Sequence, residues 1–413
     1  MLVALAVAAF AVSLAPRGSL GPAWGAPLLG ALALVWVLRA PLDVRRDDTL
    51  PAIAVLLSAL GLVTIARLSS SLAQRQEIWL GFSLVLATGL GPSFDRFRRL
   101  AAYKYVWILG AIVLFAIVAI FGQEVNGAKL WIRIGSIQYE PVELIKLFIV
   151  FFLAGYLAET ADVIAAAKWW SLRANAKYLG PLFVGWGASM AILVFERDIG
   201  MASLLLATFV AMLYVATRRI DLIAGGAAIF GLAVWWAVKH YPYVIARFDV
   251  WQHPFADPLG RGYQALQNLF SLSAGGLFGT GYGLGHPEYI PSVATDYVFA
   301  AWSEEFGALG GIVLVAAFAL VVRRALLTAQ QQPDLYAKLL ATGLAATLGF
   351  QSFIIIGGVL GLIPLTGITL PLISYGGSSL VANILLIAMV WAIGSERRTA
   401  VSVTAAGIEA SAA

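Results

Sequence analysis

One acidic side chain lies where a stiff backbone would hold it in place. Asp257 falls between Pro254 and Pro258 in the stretch WQHPFADPLGRGYQ. Proline fixes its own φ angle and restricts the residue before it. A carboxylate held in this way suits a general base. Asp and Pro are also ordinary turn residues, so a turn without chemistry is an equally open interpretation.

Several basic side chains outside the apolar runs are candidates for binding an anion. One such anion is the pyrophosphate of a pyrophosphate-linked sugar, which is already a good leaving group. Transfer of the sugar then needs cations that neutralise the charge developing on the pyrophosphate, and one base that accepts a proton from the acceptor. Asp257 and these cations together are consistent with glycosyl transfer from a pyrophosphate-linked sugar. Three adjacent charges at 196–198 are equally typical of a solvated helix end. The basic candidates are Lys129, Arg133, Arg197 and Arg247.

Charged residues also occur within apolar helical patterns. Glu143 and Lys146 are spaced i,i+3 just after Pro141, so they can pair on one helix face. Thr295 and Asp296 are expected to form a helix cap and its acidic first turn, and Glu304 with Glu305 would lie about 12–14 Å into that helix. Charges at such depth mark a polar cavity or a structural ion pair. Both alternatives stay open here.

A run of glycines follows the Asp257 stretch. It lacks the GxGxxG spacing and the preceding strand of a nucleotide-binding loop. We interpret it as a re-entrant or close-packed segment, with a lining role for a lipid headgroup as the alternative. Its members are Gly275, Gly276, Gly279, Gly281, Gly283 and Gly285.

The composition restricts the class of protein. Of 413 residues, 61% are hydrophobic and only 12% are charged, with a mean hydropathy of +0.88. A water-soluble surface needs about twice that share of charges. A soluble enzyme, a disordered chain and a DNA-binding domain are therefore improbable. The absence of cysteine excludes disulfides and thiolate chemistry. The net charge of +5 fits cytoplasmic loops of a membrane protein and does not call for nucleic acid.

The apolar runs predict an all-α, polytopic membrane bundle of about twelve transmembrane helices with a long extracytoplasmic loop. The first run lacks a basic leader and is followed at once by another, so we favour a spanning helix over a signal peptide. The predicted helices cover residues 2–15, 23–39, 50–66, 77–92, 104–121, 141–158, 179–195, 201–217, 220–240, 296–323, 338–362 and 377–395.

Positive charge orients this bundle. With the N-terminus in the cytoplasm, most of the 27 Lys and Arg residues fall in inside loops. Both termini are then cytoplasmic, and two stretches, 122–140 and 241–295, face outward. We divide the single membrane domain, 1–413, into a two-helix N-terminal addition (1–40), a core (41–395) that contains the outer loop 241–295, and a cytoplasmic tail (396–413).

Six ordered stretches resemble the SEDS family (shape, elongation, division and sporulation), the group of FtsW and RodA. They are most similar to its actinobacterial-type branch and cover the chain from about residue 120 to 395. The stretches are NGAKLWIRIGSIQYEPVELIKL (126–147), ERDIG (196–200), HPFADPLGRGYQALQ (253–267), AGGLFGTGYGLG (274–285), PSVATDYVFAAWSEEFGALG (291–310) and GLIPLTGITLPLISYGGSS (361–379).

The resemblance implies a peptidoglycan glycosyltransferase of the bacterial cytoplasmic membrane. It would polymerise lipid II into glycan strands on the outer face and release undecaprenyl pyrophosphate, with Asp257 as the catalytic residue. It also implies a class B penicillin-binding protein as partner and a divalent metal, Mg²⁺ or Mn²⁺. The substrate-binding residues carried over from the matching stretches, or placed beside them, are Lys129, Arg133, Glu143, Lys146, Arg197, Asp198, Arg247, Gln264, Glu304 and Ser378.

Three departures from the family pattern limit the transfer. The first two predicted helices are additional, Glu196 stands where many members have Gln, and Ile355 stands where an Asn is common. Two rival functions are a flippase for lipid II and a non-catalytic scaffold of the division or elongation machinery. A flippase needs a path open to both sides, whereas the polar residues here concentrate on the outer side.

Overall fold

The fold comes from a computed structural model, which describes residues 49–90, 95–125, 128–135, 137–167, 177–182, 187 and 198–412. Several predictions lie outside these residues. They are the helices at 2–15 and 23–39, the addition at 1–40, most of the helix at 179–195, and the position of Arg197.

The described chain is almost entirely helical. In chain order the helices are α1 (Thr49–Leu68), α2 (Ser70–Leu90), α3 (Asp95–Leu100), α4 (Lys104–Phe121), α5 (Val142–Ala166), α6 (Ile199–Thr217), α7 (Ile220–His240), α8 (Pro242–Gln252), α9 (Tyr263–Gly275), α10 (Val298–Gln330), α11 (Leu335–Val359) and α12 (Gly377–Ala412). Residues 177–182 are also helical.

Eight helical segments of the described chain are long and apolar enough to cross a membrane. They lie in α1, α4 with the end of α3, α5, α6, α7, α10, α11 and α12, so the predicted membrane bundle is confirmed. The total of twelve stays a prediction. The helix predicted at 77–92 exists as α2, but its first half carries Arg75 and Glu77 and it is not among the eight.

The centre of the bundle is formed by α5 and α11. Helix α11 packs against α5, α6, α10 and α12, and most of its length is buried. Helix α7 is the opposite case, because none of its residues is buried. The charged residues that reach the bundle interior on α5 therefore need partners from α11 and α12.

The stretch 122–140, which we predicted as an external loop, contains regular strands. It forms a three-stranded antiparallel sheet, β1 (Gln123–Val125), β2 (Ala128–Ile134) and β3 (Ile137–Tyr139), in the order β1-β2-β3. The alternating sequence AKLWIRI is typical of a strand. The turn from β2 to β3 uses Gly135 at φ 63°. A short sheet thus adds to the all-α prediction.

The long stretch 241–295, predicted to face outward, packs onto the bundle. It contains α8, α9 and short 3₁₀ turns at Pro254–Ala256 and Pro287–Tyr289. The buried Asn268 amide donates to the Val359 carbonyl at the end of α11, at 2.8 Å. The Trp251 indole donates to the Gly361 carbonyl, also at 2.8 Å. These bonds fix both ends of the Asp257 segment to the C-terminal end of α11.

Helix α10 contains a break that the glycine-rich segment fills. Gly307 has φ 70° and ψ −173°, so the helix is interrupted there. The amides of Ala308 and Leu309 donate to Gly276 and Leu277 at 2.9 and 3.2 Å instead of to the preceding turn. In return, the carbonyls of residues 304 and 305 accept from the amides of residues 280 and 281, at 2.9 and 3.0 Å.

Close approach of backbones explains the glycines. A Cβ atom on Gly275 would lie 2.1 Å from the Ser303 carbonyl oxygen, and one on Gly279 would lie 2.2 Å from that of Glu305. A Cβ on Gly307 would lie 2.4 Å from the Gly279 nitrogen. The interpretation as a close-packed segment is therefore confirmed.

Replacing Gly307 by alanine tests this packing. The substitution Gly307→Ala combines a positive φ with a backbone clash, so we expect it to lower the free energy of unfolding by about 2 kcal/mol or more. The matched control is Gly225→Ala in α7, where a Cβ meets nothing within 4 Å. It should leave stability unchanged or raise it by about 0.5–1 kcal/mol. Thermal unfolding in detergent measures both, and equal effects would contradict the proposed packing.

Candidate active site

A fully buried lysine forms a polar contact inside the bundle. Lys146 has no exposed surface and lies in the second turn of α5. Its ammonium group pairs with the carboxylate of Glu143, as the i,i+3 spacing predicts. It also donates to the side-chain oxygens of Gln351 at 2.8 Å and Asn383 at 3.4 Å. Three helices thus share one charge pair.

The lysine's amide partners are themselves held in place. The Gln351 amide donates to the Thr369 carbonyl at 3.0 Å, and the Thr369 hydroxyl donates to Ser379 at 2.7 Å. The Asn383 amide donates to the Ser379 carbonyl at 2.8 Å. Sequence reasoning missed Gln351, Asn383 and Thr369. Amide side chains inside otherwise apolar helices were the available signal for the first two.

The network reaches the start of α5 through Glu140 and Ser378. The backbone amide of Glu140 donates to the buried Ser378 hydroxyl at 2.9 Å, so Ser378 connects α12 to the end of the sheet. Removal from water, followed by the nearby charges of Glu143 and Asp198, raises the pKa of the Glu140 carboxyl well above its usual range.

Asp198 begins α6 and is buried. Its Oδ1 accepts the backbone N–H of Met201 at 2.9 Å, which caps the helix. Desolvation raises the pKa of Asp198 to about 6, against the lowering effects of this hydrogen bond and of Arg247. A carboxyl with such a pKa changes charge close to neutral pH.

Arg247 connects the stretch 241–295 with the acidic side chains of Asp198 and Asp296. It lies on α8 and donates to the Thr366 carbonyl at 2.9 Å. Its positive charge acts on both Asp198 and Asp296. Burial raises the pKa of Asp296 to about 6 as well. The sequence predicted a cap at Thr295 and an acidic first turn at Asp296, but α10 begins at Val298 with Tyr297 as its N-cap, so that assignment was wrong.

Asp257 is exposed and fixed by its own turn. Its Oδ1 accepts the Gly260 N–H and its Oδ2 accepts the Arg261 N–H, both at 3.0 Å. A Cβ on residue 260 would lie 2.3 Å from Oδ2, so a side chain there would displace the carboxylate from these bonds. The segment therefore forms a turn, and the same bonds hold the carboxylate in a defined orientation at the surface. Its role as a general base stays a prediction.

Other candidates lie on the sheet and on the stretch 241–295. Lys129 lies in β2 opposite Glu124, and the exposed Arg133 donates to the Gly135 carbonyl at 3.1 Å. The Gln264 amide donates to the Pro291 carbonyl at 2.8 Å. Among the residues whose side chains the structure describes, neither Arg133 nor Arg247 forms a side-chain bond with the Asp257 carboxylate. Their convergence around that carboxylate stays a prediction.

Glu304 and Glu305 hold the glycine-rich segment. The Glu304 carboxylate accepts the Ser271 hydroxyl at 2.5 Å and the His286 amide at 2.7 Å. Glu305 pairs with Arg67 of α1 at 3.2 Å, which confirms the ion-pair alternative for this residue. A substrate-binding role for Glu304 stays a prediction, since both of its oxygens already have protein partners.

The described residues contain no group of three or more His, Asp or Glu side chains arranged to hold a metal ion. Mg²⁺ commonly needs only one or two carboxylates besides substrate phosphates, so the expectation of a divalent ion stays untested.

Spanning helices and buried, partnered charges define an integral membrane protein. The sequence model of the FtsW/RodA/SpoVE family, described as a cell cycle protein, matches residues 48–399. The chain belongs to this family, which confirms the resemblance.

Named relatives extend over nearly the whole chain. The peptidoglycan glycosyltransferase RodA of Mycobacterium tuberculosis (strain ATCC 25618 / H37Rv) is 35% identical over 94% of this chain and 89% of its own. The stage V sporulation protein E of Bacillus subtilis (strain 168) is 33% identical over 81% of this chain and 93% of its own.

Solved structures share the fold. One, described as the structural coordination of polymerization and crosslinking by a peptidoglycan synthase complex, has a TM-score of 0.70 and 30% identity, and covers 86% of this chain and 99% of its own. The rod shape determining protein RodA of Thermus thermophilus has a TM-score of 0.63 at 27% identity, with the same coverage.

The buried ion pair can be tested by removing one partner or both. Lys146→Met leaves the Glu143 carboxylate buried without its counter-ion, which typically costs about 3–5 kcal/mol. The double variant Lys146→Met/Glu143→Gln removes both charges and should recover a large part of that loss. Thermal unfolding of the two variants gives the comparison. A double variant as unstable as the single one would contradict the pairing.

The raised pKa of Asp198 predicts a pH-dependent stability. Its pKa is about 6 in the folded protein and near 3.8 when unfolded, so the folded state binds the proton more tightly. The stability that protonated Asp198 contributes is complete below about pH 4 and is lost as the pH rises through about 6.

Asp198→Asn keeps a cap acceptor but cannot titrate. Its melting temperature should therefore rise relative to the parent protein between pH 4 and pH 7. Asp334→Asn, at the N-cap of α11, is the matched control for the cap alone. A constant difference across this pH range would show that Asp198 does not titrate there.

Proposed function

We propose that this chain polymerises lipid II into glycan strands at the outer face of the bacterial cytoplasmic membrane. It is a peptidoglycan glycosyltransferase of its family. The observation that carries the proposal is the match over 94% of the chain to a protein named peptidoglycan glycosyltransferase RodA. The exposed and oriented Asp257 carboxylate supports the same function.

Asp257 would act as the general base. The acceptor sugar hydroxyl gives its proton to the carboxylate as its oxygen attacks the anomeric carbon of the lipid-linked glycan. A new C–O bond forms with inversion, and the C–O bond to the pyrophosphate breaks. Undecaprenyl pyrophosphate leaves with the electron pair of that bond, so no general acid is needed. The two backbone N–H bonds hold Asp257 without occupying all of its lone pairs.

The cationic side chains would hold the pyrophosphates. Lys129 and Arg133 lie on the outer sheet, and Arg247 lies on the helix that leads to the Asp257 turn. Arg197 is assigned to the same role from sequence. Basic groups placed where charge develops on the leaving group stabilise the transition state. A bound Mg²⁺ or Mn²⁺ would add to this neutralisation.

Orientation and partner complete the proposal. Both termini would lie in the cytoplasm, which places the Asp257 loop outside, where lipid-linked sugars are joined. The similar fold in a peptidoglycan synthase complex supports a crosslinking partner, and we assign a class B penicillin-binding protein to that role.

The substitution Asp257→Asn removes the proposed base while it keeps an acceptor for the turn. Asparagine keeps one acceptor for a backbone N–H but cannot take a proton from the hydroxyl. In liposomes supplied with lipid II, polymerisation should fall by at least ~100-fold. Gel analysis of the glycan products measures this loss.

The matched control for Asp257→Asn is Asp249→Asn, an exposed carboxylate on α8. This variant should polymerise like the parent protein. Full activity of Asp257→Asn would reject the catalytic role.

The two rival functions make different predictions for the same variant. A flippase moves fluorescent lipid II across liposomes without forming polymer, and Asp257→Asn should not stop it for want of a base. A scaffold supports growth in cells with Asp257→Asn so long as its partner binds. Running flipping, polymerisation and complementation assays together discriminates the three functions.

A further inference from the structure

Two large apolar side chains protrude from the glycine-rich segment. Leu277 is 55% exposed and Phe278 is 78% exposed. They follow α9 directly and precede the tight turns at residues 279–283. Neither the Asp257 turn nor the buried network uses them. A contiguous apolar protrusion of this kind needs an environment that accepts it.

The backbone of this segment has partners in spite of its irregular shape. Its carbonyls at residues 276 and 277 and its amides at residues 280 and 281 are paired with the interrupted turn of α10. The amide of residue 279 donates to the Gly275 carbonyl at 2.7 Å. Irregular backbone enters the hydrocarbon region only where its polar groups are satisfied by protein. The carbonyls of residues 276 and 277 and the amides of residues 279, 280 and 281 meet that condition.

The depth of the segment follows from its pairing with α10. Leu277 is level with Leu309, and the helix runs on from there to Arg323 and Arg324, a distance of about 21 Å at 1.5 Å per residue. The hydrocarbon core is about 30 Å thick. Placing Arg323 and Arg324 at one boundary of the hydrocarbon core puts Leu309 about 9 Å inside the opposite boundary.

The neighbouring surface of α10 is also apolar and exposed. Leu309, Ile312 and Val313 are 44%, 61% and 66% exposed, respectively, and belong to a helix that crosses the membrane. The protrusion therefore continues a surface that faces lipid, which favours acyl chains over a protein as its occupant.

We propose that the glycine-rich segment inserts into the outer leaflet and that Leu277 and Phe278 contact lipid acyl chains there. The insertion anchors the C-terminal end of α9, and the opposite end of this helix follows the Asp257 turn. The loop that carries Asp257 is thereby held at the membrane surface. The inference rests on the contacts of α10 and does not depend on the proposed enzymatic activity.

Single-cysteine labelling tests the insertion directly, because the chain has no cysteine of its own. We would label Phe278→Cys with the environment-sensitive dye NBD in detergent and reconstitute the full chain into phosphatidylglycerol and phosphatidylethanolamine liposomes. Quenching by nitroxide on the lipid chains reports contact with acyl chains, and quenching by iodide reports contact with water. Ile312→Cys and Asp249→Cys are the lipid-facing and water-facing controls.

The expected result is a blue-shifted emission for Phe278→Cys, with nitroxide quenching like that of Ile312→Cys and loss of iodide quenching. Leu277→Cys provides an independent second position, and thermal unfolding verifies that each labelled variant is folded. Iodide quenching like that of Asp249→Cys would overturn the proposal. Protection from both quenchers would also overturn it, because protein and not lipid would then cover the segment.

Discussion

Polar groups inside a membrane bundle have no water to pair with, and this constraint shapes the whole protein. Each buried charge and each interrupted hydrogen bond must find its partner elsewhere in the chain. Lys146 is the strongest case, since its ammonium group is fully buried and contacts side chains of α5, α11 and α12. The requirement therefore fixes how three helices pack, and not merely which residues pair.

The same constraint explains the contrast between α10 and a regular helix. Gly307 interrupts α10, which by itself would leave two amides and two carbonyls without partners. The glycine-rich segment supplies all four, and it can come close enough only because its residues 275 and 279 lack side chains. The helix break at Gly307 and the glycines of the glycine-rich segment therefore form one structural feature, although they lie in separate stretches of the sequence.

Local sequence information predicts the parts of this structure that depend on local physics. Apolar runs placed eight spanning helices, the i,i+3 spacing placed Glu143 beside Lys146, and the two prolines indicated a rigid turn at Asp257. The sheet at 122–140 was missed because its strands are short and its pairing depends on turn geometry. Gln351, Asn383 and Asp296 were missed for another reason. Their roles arise from contacts between residues far apart in sequence, and single-sequence patterns do not report those.

Exposure and rigidity have opposite structural requirements, and the Asp257 segment satisfies both. A carboxylate that meets a substrate has to lie at the surface, where side chains are usually mobile. Here Trp251 is bonded to Gly361 and Asn268 to Val359, so the segment between them is fixed to the end of α11 on both sides. Since α11 also bears Gln351, the buried network that orders the helix also orders the frame on which Asp257 is carried. The rigid interior of the bundle therefore fixes the position of the exposed Asp257 carboxylate.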